Sequence, residues 1–122
     1  FKINKTIDEI DYFCFHQANN FINSYIAKKM KLVAEKIPHT IEKYGNTSSV
    51  SVPLTIVSEL KGKLDNNKTL MISAFGVGMT WATGIVSFCD TRISDIVEVE
   101  GGKPCDSYLC REYSPIEREI EE

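Results

Sequence analysis

Two short segments hold the side chains best suited to chemistry: His16-Gln17-Ala18-Asn19-Asn20 and Tyr44-Gly45-Asn46-Thr47-Ser48-Ser49. Each places a hydrogen-bonding side chain, His16 or Asn46, at the end of an expected regular element, from which a rigid scaffold can present it to a cleft. The alternative for both is architectural. His16 would then close a strand with a satisfied hydrogen bond, and Asn46 would serve as a turn or capping residue. Residue types alone leave the two readings open.

Of the four cysteines, Cys14 lies two positions before His16, so the pair shares a face of the expected strand. A mid-strand thiol lacks the helix N-terminus that lowers a cysteine pKa, and Cys14 therefore reads as a core residue rather than a nucleophile. Cys105 and Cys110 have no histidine or further cysteine near them in sequence. That favours free thiols or a local disulfide over a metal site. His39 reads as structural or exposed.

The elements that must position these groups follow from periodicity. Residues 12–15 form an aromatic-rich run expected as a buried strand ending at His16. Beyond it, Phe21, Ile22, Tyr25, Ile26, Met30 and Val33 recur at helical spacing. They predict an amphipathic helix of about four turns, capped by Asn19 or Asn20, with Lys28, Lys29 and Lys31 toward its other side. Pro38 ends that pattern, and residues 39–41 are expected as a brief strand before a turn at Gly45 and Asn46.

Residues 48–61 predict a second helix, with Leu54, Ile56, Val57 and Leu60 on its apolar positions, Pro53 in its first turn and Gly62 as its stop. The small residues Thr47, Ser48, Ser49 and Ser51 suit a helix start packed against other backbone. Residues 69–75 and 81–88 predict two strands joined by a turn at 76–78. Strand, helix, strand, helix, strand, strand is an α/β order, with helices layered on a mixed sheet. Residues 96–99 suggest a further small strand, and Ser114-Pro115-Ile116-Glu117 the start of a short terminal helix.

The 122 residues, 43% of them apolar, suit one domain. No apolar run approaches the roughly 20 residues that span a bilayer, and the polar residues 1–11 lack the character of a signal peptide. The expected setting is the cytoplasm, with neither membrane nor nucleic acid as a partner. Net charge is -3, unevenly divided: residues 1–88 hold 10 lysines against 7 acids, whereas residues 89–122 hold 4 basic and 10 acidic groups. The expected organisation is a basic domain over 1–88 and an acidic extension over 89–122, with its short helix from 115. A basic body suits an acidic partner protein or a phosphate-bearing ligand. A domain this small leaves apolar faces exposed if it belongs to a larger fold, so a partner or self-association is expected.

Three segments, His16-Gln17-Ala18-Asn19, Gly45-Asn46-Thr47-Ser48 and Ala74-Phe75-Gly76-Val77-Gly78-Met79-Thr80-Trp81, resemble in order and spacing the motifs of the 3-oxoacyl-acyl-carrier-protein synthase III family, within the thiolase superfamily. The likeness runs from residue 11 to residue 88. It implies the C-terminal half of a thiolase-like fold, packed against a similar N-terminal half and paired as a homodimer. It also implies decarboxylative condensation. A cysteine takes an acyl group from a coenzyme A thioester, and malonyl-acyl-carrier protein loses carbon dioxide to form an enolate that attacks it. By this resemblance His16, neutral and donating through Nε2–H, and Asn46, through its amide, stabilise the enolate oxygen.

The same resemblance places Phe75 beside the reacting centre and assigns the backbone of Gly76, Val77 and Gly78 to the acyl-enzyme oxyanion. Asn19 would contact the pantetheine arm, and Lys28 and Lys29 the acidic acyl carrier protein. Acyl-coenzyme A and malonyl-acyl-carrier protein enter as substrates, with no permanently bound cofactor and no metal. Phe21 stands where the family usually has arginine, and Val77 where it commonly has glycine. The acyl-accepting cysteine belongs to the family's N-terminal half. With phenylalanine rather than methionine at position 1, the chain is expected to be a C-terminal piece that performs no complete condensation by itself.

Other readings of the resemblance are a non-catalytic module binding carrier protein or pantetheine, a condensing enzyme of hydroxymethylglutaryl or polyketide type, and a degenerate structural fragment. The pairing of the first two motifs favours synthase III. The acidic tail residues Glu117, Glu119 and Glu121 are expected to fold onto Lys28 and Lys29.

Overall fold

Tyr12–Phe15 forms the first strand, β1, and its alternation sends Phe13 and Phe15 to one face and Tyr12 and Cys14 to the other. In this computed structural model, which describes residues 5–64, 67–78, 80–89 and 91–98, β1 pairs in parallel with β2, Lys68–Gly76. In turn β2 pairs antiparallel with β3, Thr80–Phe88, giving a mixed sheet in the order β1-β2-β3. Cys14 sits opposite Ile72 and Phe75 opposite Trp81.

Parallel neighbours cannot be joined by a tight turn, so residues 16–67 form the crossover. It contains α1 (Asn20–Met30), α2 (Ile41–Tyr44) and α3 (Ser51–Glu59), with 3-10 turns at Ala34–Lys36 and Ser48–Val50. Another such turn, Ile7–Glu9, precedes β1.

Two apolar clusters hold the layers together. On one face Val52 and Leu60, with Ile56 against them, pack α3 and its exit onto Cys14 and Leu70, and Leu64 closes the layer. On the other face Ile26 and Ala27 of α1, with Leu32 and Ile37, cover Ile10, Phe13 and Phe15. The architecture is α/β, with helices on both faces of a mixed sheet. No helix among the described residues is long and apolar enough to cross a membrane.

Several elements differ from the expectation. Helix α1 spans 11 residues, about three turns rather than four, because Lys31 takes a left-handed conformation (φ 53°) and returns its N–H to the carbonyls of Ala27 and Lys28. Val33 therefore lies outside the helix. Of its predicted apolar stripe, Ile26 packs inward while Phe21, Ile22 and Tyr25 stay exposed.

No strand forms at residues 39–41. The Thr40 N–H goes to the Gln17 side chain at 3.2 Å rather than to a ladder, Pro38 has no N–H to give, and Ile41 begins the single turn of α2. The expected helix over 48–61 divides, because Ser48 has φ 55° and the α-helical path starts only at Ser51. Pro53 is in the first turn of α3 as expected, but the helix stops at Glu59, and Gly62 (φ 72°) belongs to the turn that follows. Residues 96–98 carry no strand. Val99, Cys105, Cys110, the helix expected from 115 and the acidic residues Glu117, Glu119 and Glu121 lie outside the described residues.

Candidate functional site

Strand β1 ends by handing its last ladder bond to His16, whose N–H reaches the Ser73 carbonyl at 2.8 Å. This anchors the histidine backbone to the sheet while the chain turns into α1, and buried Asn23 holds the His16 carbonyl from that helix at 3.2 Å. The imidazole is gripped on two sides. Its Nδ1 lies 2.5 Å from the Ser51 hydroxyl, and Phe75 meets the ring edge to face at 5.1 Å between centroids and 85° between planes.

Ser51 opens α3 and is itself buried. Behind it runs a buried polar chain. Gln17 donates its backbone N–H to Ser51 Oγ at 3.3 Å and its amide to the Phe15 carbonyl at 2.9 Å, while its own Oε1 accepts the Thr40 N–H. The Thr55 hydroxyl donates to the Ser51 carbonyl at 2.8 Å, so the 2.7 Å contact between the Thr40 and Thr55 hydroxyls must have Thr40 as donor. Every link is satisfied, which makes the network rigid.

Asn46 reaches the site from the turn after α2. Gly45 has φ 67° and ψ -161°, a region essentially confined to glycine, and this aims the next residue back over the start of α3. Asn46 Oδ1 then accepts the Ser48 N–H at 2.9 Å, so the turn-residue reading of Asn46 holds. With its oxygen engaged, the side-chain amide N–H groups have no partner among the described residues.

These parts enclose a cleft of about 630 Å3 whose lining includes His16, Asn46 and Ser51 from the crossover and Phe75, Gly76, Val77 and Trp81 from the hairpin. Five of the residues singled out in the sequence, His16, Asn46, Phe75, Gly76 and Val77, therefore meet at one place. The others stand apart. Gly78 does not line the cleft; it supplies the hairpin's positive φ of 82°, a requirement that does not fall on Val77. Asn19 caps α1, accepting the Phe21 N–H at 2.7 Å. Lys28 and Lys29 occupy the exposed last turn of α1, with the Lys29 ammonium 5.9 Å over the Tyr25 ring.

Cys14 is wholly buried, and burial pushes its thiol up to about 12, away from thiolate chemistry. Sequence reasoning gave no role at the site to Ser51, Gln17 or Trp81, although Gln17 and Trp81 fall within the motifs it singled out. Ser51 drew notice only as a small residue at a helix start, and nothing in the pattern pairs it with a histidine on another element.

The family described as 3-oxoacyl-[acyl-carrier-protein] synthase III C terminal matches residues 2–88. A β-ketoacyl-[acyl-carrier-protein] synthase III of Streptococcus gordonii is 45% identical over 84 residues, covering 66% of this chain and 26% of that protein. The enzyme of the same name from Lactococcus lactis is 35% identical over 89 residues, covering 70% and 27%. Among solved structures, a 3-oxoacyl-(acyl-carrier protein) synthase from Burkholderia xenovorans superposes with a TM-score of 0.74 at 41% identity, covering 79% of this chain and 28% of that one. The synthase III of Aquifex aeolicus gives 0.65 at 32% identity, covering 68% and 27%. The chain thus spans about a quarter of the length of the relatives it matches.

Proposed function

Because the chain belongs to the 3-oxoacyl-[acyl-carrier-protein] synthase III C-terminal family and has the α/β architecture of the C-terminal half of a thiolase-like fold, we propose that its cleft stabilises the enolate in a decarboxylative condensation. In that reaction the bond from the malonyl α-carbon to its carboxylate breaks and carbon dioxide leaves. The electron pair moves into the thioester, whose oxygen becomes the enolate oxygen. The α-carbon then attacks an acyl thioester, forming the new carbon–carbon bond and expelling thiolate.

The observation that carries this reading is the convergence of His16 and Asn46 on one cleft, with the Asn46 oxygen already tied to Ser48 and its amide N–H groups left for a ligand. Donors fixed before charge develops stabilise it without reorganisation, and each such donor is worth about 2.7–4 kcal/mol where one has been removed elsewhere. Phe75 packs its ring against the imidazole and keeps it in place. The backbone of Gly76, Val77 and Gly78 serves the acyl oxyanion in this scheme.

The substrates in this scheme are an acyl-coenzyme A starter and malonyl-acyl-carrier protein, used without a permanently bound cofactor. The acyl-carrying thiolate comes from an N-terminal half packed against this one, since Cys14 is buried and held protonated. Asn19 meets the pantetheine arm, Lys28 and Lys29 meet the acidic carrier protein, and the complete enzyme works as a cytoplasmic homodimer. Residues 1–88 carry this role, with 89–122 as an extension.

The direct test is carbon dioxide release from malonyl-acyl-carrier protein by the purified chain and by its His16→Ala and Asn46→Ala variants. Each substitution is expected to lower release by roughly 100- to 1,000-fold. Equal release above background from all three proteins would overturn the assignment, whereas background release from all three would mean that the residues act only beside the N-terminal half.

A further inference from the structure

We propose that Ser51 is a positioning residue that fixes His16 as the tautomer with its proton on Nε2. Ser51 has one hydroxyl hydrogen, and its oxygen has two neighbours, the Gln17 N–H at 3.3 Å and the His16 Nδ1 at 2.5 Å. The Gln17 N–H can only donate, so it occupies an oxygen lone pair. Ser51 is 1% exposed, and among the described residues His16 Nδ1 is the one acceptor bonded to its side chain. The serine proton therefore goes to Nδ1, which must present a lone pair, and a neutral imidazole then carries its proton on Nε2.

The opposite tautomer would point Nδ1–H at an oxygen that already accepts from Gln17, stranding the serine proton in a buried position. An unmet buried donor of this kind shifts the tautomer ratio by roughly ten- to a hundredfold. The serine backbone is fixed where it stands, because Thr55 holds its carbonyl, Thr40 holds Thr55, and the Gln17 side chain holds Thr40, while the Gln17 N–H holds the hydroxyl oxygen itself beside the imidazole. No described residue bonds to Nε2, so its hydrogen is left for a ligand in the cleft. That Nε2–H is the useful donor rests on the enolate reading of His16; the tautomer itself does not.

The test is a long-range proton–nitrogen correlation spectrum of the 15N-labelled chain with its histidines neutral, His39→Gln assigning the two rings. The wild-type chain should place the His16 proton on Nε2 almost exclusively. Ser51→Ala should raise the Nδ1–H share by roughly tenfold, toward that of a free imidazole, and Ser51→Thr, which keeps a hydroxyl, should restore it. A dominant Nδ1–H form in the wild-type chain would overturn the proposal whether or not Ser51→Ala folds. So would a folded Ser51→Ala chain with an unchanged ratio. Carbon dioxide release plays no part in this readout. Failure of the tautomer assignment while His16→Ala and Asn46→Ala still abolish release would remove the role of Ser51 alone.

Discussion

Asp11 and Thr69 exchange hydrogen bonds across the start of the sheet: the Asp11 N–H reaches the Thr69 carbonyl at 2.8 Å, and the Thr69 N–H returns to the Asp11 carboxylate at 2.8 Å. Lys68 adds its ammonium at 3.0 Å to the other carboxylate oxygen. The Thr69 amide above all holds the carboxyl below the usual aspartate range; burial opposes it, and the hydrogen bond and charge of Lys68, then the charge of Lys36, add to the lowering. A folded-state pKa below the unfolded value of about 3.9 means that this stabilisation is complete above that value and is lost as pH falls through the folded one. Urea midpoints should therefore drop as pH falls below about 4, and Asp11→Asn should both lower stability by about 1 kcal/mol at neutral pH and weaken the acid-side slope. Glu9, held down by the Thr6 N–H and hydroxyl, should supply part of the slope that persists.

Thiol labelling separates the two described cysteines. Cys14 is buried with its thiol pushed up to about 12, whereas Cys89 is exposed. Peptide mass spectrometry after a maleimide pulse should find Cys89 modified in the folded chain and Cys14 modified only after unfolding in urea. Labelling of Cys14 at the same rate under native conditions would mean that the sheet opens freely.

Core and surface apolar residues should respond very differently to truncation. Leu70 is fully buried between the sheet and α3, so Leu70→Ala should cost about 2–5 kcal/mol, a large share of a small domain's stability. Phe21 is 76% exposed on α1, and Phe21→Ala should change the urea midpoint by no more than about 0.5 kcal/mol equivalent. Comparable losses from both would mean that another surface covers Phe21.

Gly45→Ala isolates backbone strain. Nothing lies within 4 Å of where its Cβ would sit, so the penalty comes only from the positive φ of 67°. About 1–3 kcal/mol is expected in chemical denaturation, together with a shifted Asn46 side-chain amide signal, because Gly45 sets the direction from which Asn46 enters the cleft.

The strands and the site termini were legible because their signals are local. The run at Tyr12–Phe15 and the paired β-rich runs around Gly76 to Gly78 appear in the sheet where their composition places them. Two features were hidden because they depend on distant partners. Phe21 and Tyr25 share the helical spacing of Ile26, yet only Ile26 finds Phe13 and Phe15 to cover. Thr40 looked like part of a strand until the Gln17 side chain, from another element, claimed its N–H. Ser51 escaped notice for the same reason: its meaning is the imidazole placed 2.5 Å away by the crossover.

That crossover also orders events in time. The β2–β3 hairpin closes through one short turn and can form in about 1–10 μs, whereas pairing β1 with β2 must first gather everything from residue 16 to residue 67. Such non-local closure is the slow step of a fold. The walls of the cleft come from both partners in that step, His16, Asn46 and Ser51 from the crossover and Phe75 and Trp81 from the hairpin, so the site is complete only once β1 has paired with β2.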